Sequence, residues 1–297
     1  MQRPTYSRWF ASSSRPAPSQ GLDRTTKVPG VVGETSAREA YDRFAPVYDE
    51  FNAQNDYEHW LGEILLPELE RHGLEEGRTL DVGCGTGRAF DPLLDRQWEV
   101  VGCDASPEMV RRAQAKFPGS DDPRKTNRGR LTQIVVADAR QLPLFGKPFH
   151  LILALNDVVN YLTEDGDLEA FLEGVKRNLA PGGLVCFDAN SLSVYEEAWL
   201  AGKYGAMRQR GWEWTGLSEQ AVAGGVFEAE VSGEGIEPNI HRQRHWTRDR
   251  IVEAMVASGL RCLTILGQRE EEGEILLEEV PSEQRHYKMI YIGAHRG

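Results

Sequence analysis

Residues 79–87 read Thr-Leu-Asp-Val-Gly-Cys-Gly-Thr-Gly, a short apolar run that opens directly into glycines at every second position. Threonine, leucine and valine favour a half-buried or buried strand. The glycines behind it tolerate positive φ and let the main chain approach a ligand where a side chain would clash. A strand that ends in such a loop and continues into a helix commits the chain to an α/β fold with a parallel sheet, because parallel neighbours need a crossover connection.

The flanking sequence supplies the crossovers. Helical spacing of Tyr41, Phe44, Ala45, Val47, Tyr48 and Phe51, with Pro46 as a break, predicts an N-terminal helix, and a second helix is expected over residues 57–71. After the strand at 79–82 come a helix over 88–96, a strand over 99–103 and a helix over 106–117 with Ser106 as cap and Pro107 in its first turn. Further strands fall at 133–136, 151–155 and 184–188, with a helix over 167–179 between the last two. The strands are continuous apolar runs, the pattern of a sheet covered on both faces. Residues 191–246 break the alternation with many glycines and tryptophans and read as short antiparallel strands. A helix over 247–258 and strands over 262–266 and 287–293 close the chain, joined by an acidic segment, 269–279, that reads as a solvated hairpin.

The glycine loop excludes as well as includes. Its spacing is G-x-G-x-G, and Arg88 stands where a dinucleotide fingerprint needs a third glycine. No Gly-Lys-Ser/Thr follows, so the loop is not a P-loop. Asp81, just before the loop, would repel a pyrophosphate and suits a ligand with an ammonium or sulfonium charge. Asp104 ends the second strand 21 residues beyond Gly83, close to the ~20-residue offset at which a carboxylate receives ribose hydroxyls in nucleotide-binding βαβ units. Asp138, after the third strand, can accept from an adenine amino group. All three carboxylates stand at the carboxyl ends of strands, where open α/β sheets bind ligands.

The segments Asp81-Val-Gly-Cys-Gly-Thr-Gly87, Val101-Gly-Cys-Asp104, Ala137-Asp-Ala139 and Leu179-Ala-Pro-Gly-Gly183 resemble the successive motifs of class I S-adenosylmethionine-dependent methyltransferases. The resemblance covers roughly residues 39–190 and the last two strands. It implies S-adenosyl-L-methionine as cofactor and a Rossmann-like, seven-stranded, mostly parallel sheet of order 3-2-1-4-5-7-6 with strand 7 antiparallel. It also implies Gly83 and Gly85 against the methionine part, Asp104 on the ribose, Met109 on the adenine, and Asp138 with Ala139 at the adenine edge. Tyr41, Asp81, Ala105 and Asn156 join this cofactor set.

Methyl transfer is an in-line displacement at a carbon already activated by the sulfonium, so the protein supplies alignment and, where needed, removal of a proton. It needs neither a nucleophilic triad nor a metal, and none is expected. After the fourth strand the chain reads Leu155-Asn-Asp-Val-Val-Asn-Tyr-Leu162, without the Pro-Pro-aromatic motif of enzymes that methylate exocyclic amines of nucleic-acid bases. Together with Tyr41-Asp-Arg-Phe-Ala-Pro-Val-Tyr-Asp49 it is similar to glycine-type and amino-sugar N-methyltransferases, where an aromatic N-terminal helix covers the cofactor and an insertion after strand 5 covers the substrate. Tyr161, Asn156 and His245 are the candidate catalytic residues; Tyr48, Asp157, Asn190 and Arg242 are further candidates for the acceptor site. The tryptophans of the insertion read either as a lid core or as an aromatic cage.

The expected organisation is a disordered tail over 1–36, a methyltransferase domain over 37–190 and 247–297, and a lid over 191–246. The tail is Ser-, Pro- and Arg-rich with no acid before Asp23, so an organellar targeting role stays open beside simple disorder. Lys plus Arg number 34 against 46 Asp plus Glu, a net charge of −12 that weighs against nucleic acid and anionic membranes as partners. Four dispersed cysteines fit a reducing, cytoplasmic setting, and no apolar run spans a bilayer. The expected activity is methylation of a small molecule at nitrogen or oxygen by a monomer or homodimer. Methylation of tRNA or protein, drawing on the basic segment 124–130, and a non-catalytic cofactor-binding module are the alternatives.

Overall fold

The computed structural model describes residues 36–53, 55–74, 76–117, 130–201, 207–209 and 211–295. The tail at 1–35 and the basic segment at 124–129 lie outside the described residues. Ser36 is the N-cap of α1 (Ala37–Phe44): its side chain accepts from Glu39 N–H while Glu39 reaches back to the Ser36 N–H. Pro46 ends α1, and a 3₁₀ turn leads into α2 (Tyr48–Phe51). The next helix, α3 (Tyr57–His59), widens into a π-helical turn at Trp60–Leu65 before α4 (Leu66–Glu70). Pro67 explains the widening: it donates no hydrogen bond and crowds the carbonyl four residues back.

The remaining helices are α5 (Phe90–Asp95), α6 (Pro107–Lys116), α7 (Asp167–Asn178), α8 (Leu192–Ala198) and α9 (Arg248–Ala257). The main sheet holds β1 (Arg78–Val82), β2 (Glu99–Asp104), β3 (Arg130–Val136), β4 (Phe149–Ala154) and β5 (Leu179–Asn190), all parallel. Beyond β5 come β12 (Lys288–His295) and β10 (Leu260–Glu271), each antiparallel to its neighbour. With a last strand, β11 (Glu274–Glu278), the order is β3-β2-β1-β4-β5-β12-β10-β11. This is the expected 3-2-1-4-5-7-6 order with one correction, an eighth strand. The acidic segment read as a solvated hairpin extends β10 and folds back as β11 (Glu274–Glu278), with the turn at Glu272 and Gly273 in the left-handed region.

Alternate strand residues feed two cores. Leu151, Leu153, Leu184 and Cys186 face Leu61, Leu65 and Leu93, while Ile152, Ala154, Val185 and Phe187 face Phe171, Leu172 and Ile251 across the other side. Each fully buried aliphatic or aromatic side chain contributes about 1.5–3 kcal/mol, so the two-sided burial is what holds a parallel sheet together.

A second, antiparallel sheet of order β6-β7-β8-β9 is built from β6 (Met207–Gln209), β7 (Trp212–Gly216), β8 (Val226–Gly233) and β9 (Ile236–Arg244). Trp212 and Val231 of this sheet pack with Phe44, Val47 and Phe51 of the N-terminal helices. A separate core of Tyr195, Trp199 and Phe227 joins it to α8. Among the described residues no helix is long and apolar enough to cross a membrane.

Candidate active site

The glycine loop leaves the carboxyl end of β1 and is tied to β2 by the Cys84 N–H, which donates to the Cys103 carbonyl at 3.0 Å. Gly83 sits at φ +70°, and a Cβ there would come within 2.5 Å of Val158 Cγ2; Gly85, at φ +53°, faces the Tyr48 ring. Both therefore need glycine. Between this loop and the ends of β2, β3 and β4 lies a chamber of about 350 Å³ lined by Tyr41, Asp81, Gly83, Gly85, Asp104, Ala105, Asp138, Ala139 and Asn156.

Asp104 accepts the Gly85 N–H through Oδ2 and the Ser106 N–H through Oδ1, both at 2.8 Å. Burial nevertheless pushes its carboxyl up to about 6. Asp81 is raised further, to about 8, first by burial and then by the charge of Asp104. No Lys or Arg among the described residues forms an ion pair with Asp81. A carboxylate pair with this deficit of positive charge, Asp81 buried and Asp104 half-buried, beside a backbone loop shaped for close approach, suits a cationic ligand. Asp138 caps the 3₁₀ turn at Ala139–Gln141, and its carboxyl is held low chiefly by the Arg140 guanidinium, which donates to it at 2.6–3.2 Å. The N-terminal helices close over the loop: Thr86 donates to Asp49 at 2.6 Å and Ser106 donates to Asp42 at 2.5 Å. Met109 is fully buried, its N–H bound to the Ser106 side chain, and stands behind the chamber lining rather than in it.

A second chamber of about 670 Å³ meets the first at Tyr41, Tyr48, Tyr57, Arg88, Asn156 and Tyr161. Its polar floor follows β4. Asn156 and Asp157 are both left-handed, at φ 61° and 59°, an arrangement that non-glycine residues avoid. The fully buried Asp188 holds them there, accepting the Asn156 N–H at 2.8 Å and the Asp157 N–H at 2.6 Å. Lys288, itself buried, sits 3.3 Å from both oxygens of Asp188 and 3.9 Å from Asp157. Asp157 is raised to about 6 by burial, although Lys288 opposes the shift, and Gln243 donates to it.

Above this floor the Tyr161 hydroxyl lies 2.8 Å from His241 Nδ1, with the Tyr41 ring edge-on to both and Trp214 against the imidazole. Burial lowers His241 to about 3, so the ring is neutral, and its Nε2 has no hydrogen-bond partner among the described residues. Trp199 and Trp214 line the chamber, whereas Trp212 belongs to the packing core on the N-terminal helices.

Tyr48, Asn156, Asp157, Tyr161 and Asn190 thus meet in one chamber. Two other candidates do not. His245 is buried outside it, accepting the Gly224 N–H and facing Glu283 at 3.3 Å. Arg242 lies on the opposite face of β9, toward Glu164 and Glu228. The strand instead turns Asn239, His241 and Gln243 inward. The one apolar residue of 239–245, Ile240, lies in the phase of Arg242 and Arg244, so the period of two does not point to the inward face. His241 and Lys288 are the site residues the sequence reading missed.

Residues 79–183 match the family model for a methyltransferase domain. That stretch is similar to a methyltransferase domain. The chain is 33% identical over 153 residues to YqeM of Bacillus subtilis (strain 168), a protein named as a candidate methyltransferase, over 51% of this chain and 56% of that protein. It is also 28% identical over 182 residues to the dTDP-4-amino-2,3,4,6-tetradeoxy-D-glucose N,N-dimethyltransferase of Saccharopolyspora spinosa, over 60% of this chain and 64% of that protein. The match thus spans little more than half the length of these curated relatives. Among solved structures, an S-adenosylmethionine-dependent methyltransferase of Clostridium acetobutylicum ATCC 824 superposes with TM-score 0.68 at 20% identity, over 86% of this chain and 99% of that one. At that identity the likeness concerns the fold alone.

Proposed function

We propose that this protein transfers the methyl group of S-adenosylmethionine to a nitrogen or oxygen atom of a small-molecule acceptor. The observation that carries the reading is the junction of the two chambers at Tyr48, Asn156 and Tyr161. It joins a glycine loop with the buried Asp81 and half-buried Asp104 carboxylates to a pocket holding a neutral imidazole and a raised aspartate. Asp81 would hold the cationic end of the cofactor, Asp104 the ribose hydroxyls, and Asp138 with Ala139 the adenine edge. The bound cofactor supplies a methyl carbon activated by the sulfonium.

The protein's own residues do the rest. Tyr161 and His241 orient the acceptor so that its lone pair lies in line with the methyl carbon. The new bond forms at the acceptor atom while the sulfur keeps the electron pair of the broken one. Asp157, ionised near neutral pH and within reach of Lys288, can take the acceptor proton. Trp199 and Trp214, from the segment 191–246, exclude water as parts of a lid. The nitrogen choice draws on the aminosugar methyltransferase among the relatives. The test is incubation with methyl-labelled cofactor and a cell extract, followed by separation of small molecules from RNA and protein. Label in the small-molecule fraction is expected; label confined to macromolecules would overturn the acceptor class.

A further inference from the structure

The larger chamber does not end at the methyl-transfer point. Its lining continues from Tyr161 and His241 past Trp60 and Ile64 to Gly273, Glu274 and Ile275 on the β10–β11 hairpin. That hairpin carries the strand beyond the seven-strand order, so it adds nothing to the glycine loop or its carboxylates. Its alternation turns Ile275 and Leu277 to one side, where both pack, with Ile64, on the same hydrophobic core, while Glu274 and Glu278 flank them in sequence. The wall is also fixed. Trp60 Nε1 donates to Gln268 Oε1 at 3.0 Å, and Gln268 Nε2 donates to the Tyr287 hydroxyl at 2.6 Å, tying the π-helical turn to β10.

At about 670 Å³ the chamber falls among pockets that enclose drug-sized ligands. An acceptor no larger than one amino acid would leave the half-buried Ile64 and Ile275, and the edge of the largely buried Trp60 that reaches the lining, uncovered, and removing apolar surface from water is favourable. We propose that Trp60, Ile64 and Ile275 form a distal apolar subsite for the non-reacting body of the acceptor, which is therefore an amphiphile. Its nitrogen or oxygen lies at Tyr161 and His241, and its hydrocarbon or aromatic part runs to the hairpin. The inference rests on the transferase reading above and gives its acceptor a shape.

Calorimetry with n-alkylamines from butyl to dodecyl, on the full chain saturated with S-adenosylhomocysteine, tests it. Affinity should rise roughly fourfold per added methylene while the chain is being buried, then level off. Ile275→Trp, at a partly exposed edge position, should bring the plateau to a shorter chain, and Ile64→Trp should do the same from the helical wall. A flat series in the unmodified protein, or an unchanged plateau in variants that retain their melting temperature, would overturn the subsite. Failure of S-adenosylhomocysteine to bind in the first titration would instead remove the transferase reading beneath it.

Discussion

The hydroxyl of Tyr161 and Nδ1 of His241 lie 2.8 Å apart although 80 residues separate them in the chain. Tyr161 ends the 3₁₀ turn that follows β4 of the main sheet, and His241 comes from β9 of the small antiparallel sheet. The pair forms only when the small sheet docks on the main one, through the N-terminal helices and through direct bonds such as Asn160 Nδ2 to the Arg244 carbonyl and Asn190 Nδ2 to Gln243. Tyr161 is held neutral by burial and His241 likewise, so the pair orients by hydrogen bonding rather than by charge.

His241→Phe removes both ring nitrogens while keeping an aromatic body in the cage of Tyr41 and Trp214. Turnover should fall on the order of 10²-fold, with S-adenosylmethionine affinity unchanged by calorimetry. Equal losses in both would mean that the histidine only supports the fold.

Asp104→Asn keeps shape and one acceptor oxygen but loses the charge. Cofactor binding should weaken by about 1.5–3 kcal/mol, the worth of hydrogen bonds to a charged group. Unchanged affinity in a titration would remove the ribose assignment.

The raised carboxyls make binding of a cationic cofactor proton-linked. Asp81, raised to about 8 in the folded protein from an ordinary 3.8, binds a proton at neutral pH that the unfolded chain has lost. Through this group stability falls as pH rises from about 4 to 8, the opposite of a carboxylate held by a cation. A cationic ligand favours the ionised form, so binding at pH 7 should release up to one proton and weaken as pH falls. Calorimetry in buffers of different ionisation enthalpy measures the release, and Asp81→Asn should abolish it.

Lys288→Met leaves Asp188 without its ammonium partner at zero exposure and removes the ion pair beneath the left-handed Asn156–Asp157 turn. Removing one partner of a buried pair costs about 3–5 kcal/mol, readable by denaturant unfolding. Adding Asp188→Asn should recover much of it, because the amide oxygen still accepts one of the two backbone N–H groups.

Local pattern carried the legible half of this protein. The strand-to-glycine-loop step at 79–87, the cap at Ser106 and the carboxylate 21 residues beyond Gly83 are each written within one βα unit, where spacing and propensity decide the geometry. From these the sequence determined the α/β class, a parallel sheet and the convergence of Asp81, Asp104 and Asp138 at the strand ends, while the order of the strands came from the resemblance to class I methyltransferases. The eighth strand was hidden because an acidic hairpin reads as solvated until its alternate Ile275 and Leu277 find a core.

The acceptor side had no such local signature. His241 and Gln243 share β9 with Arg242 and Arg244, all polar, so the inward face was set by where Phe227, Ala229 and Val231 of the neighbouring strand found apolar partners. Lys288 meets Asp188 across 100 residues, through the antiparallel pairing of β12 with β5. Which polar side chain faces a ligand is thus decided by sheet register and docking, long-range packing events whose free energy lies in other residues, and only the tertiary structure settles them.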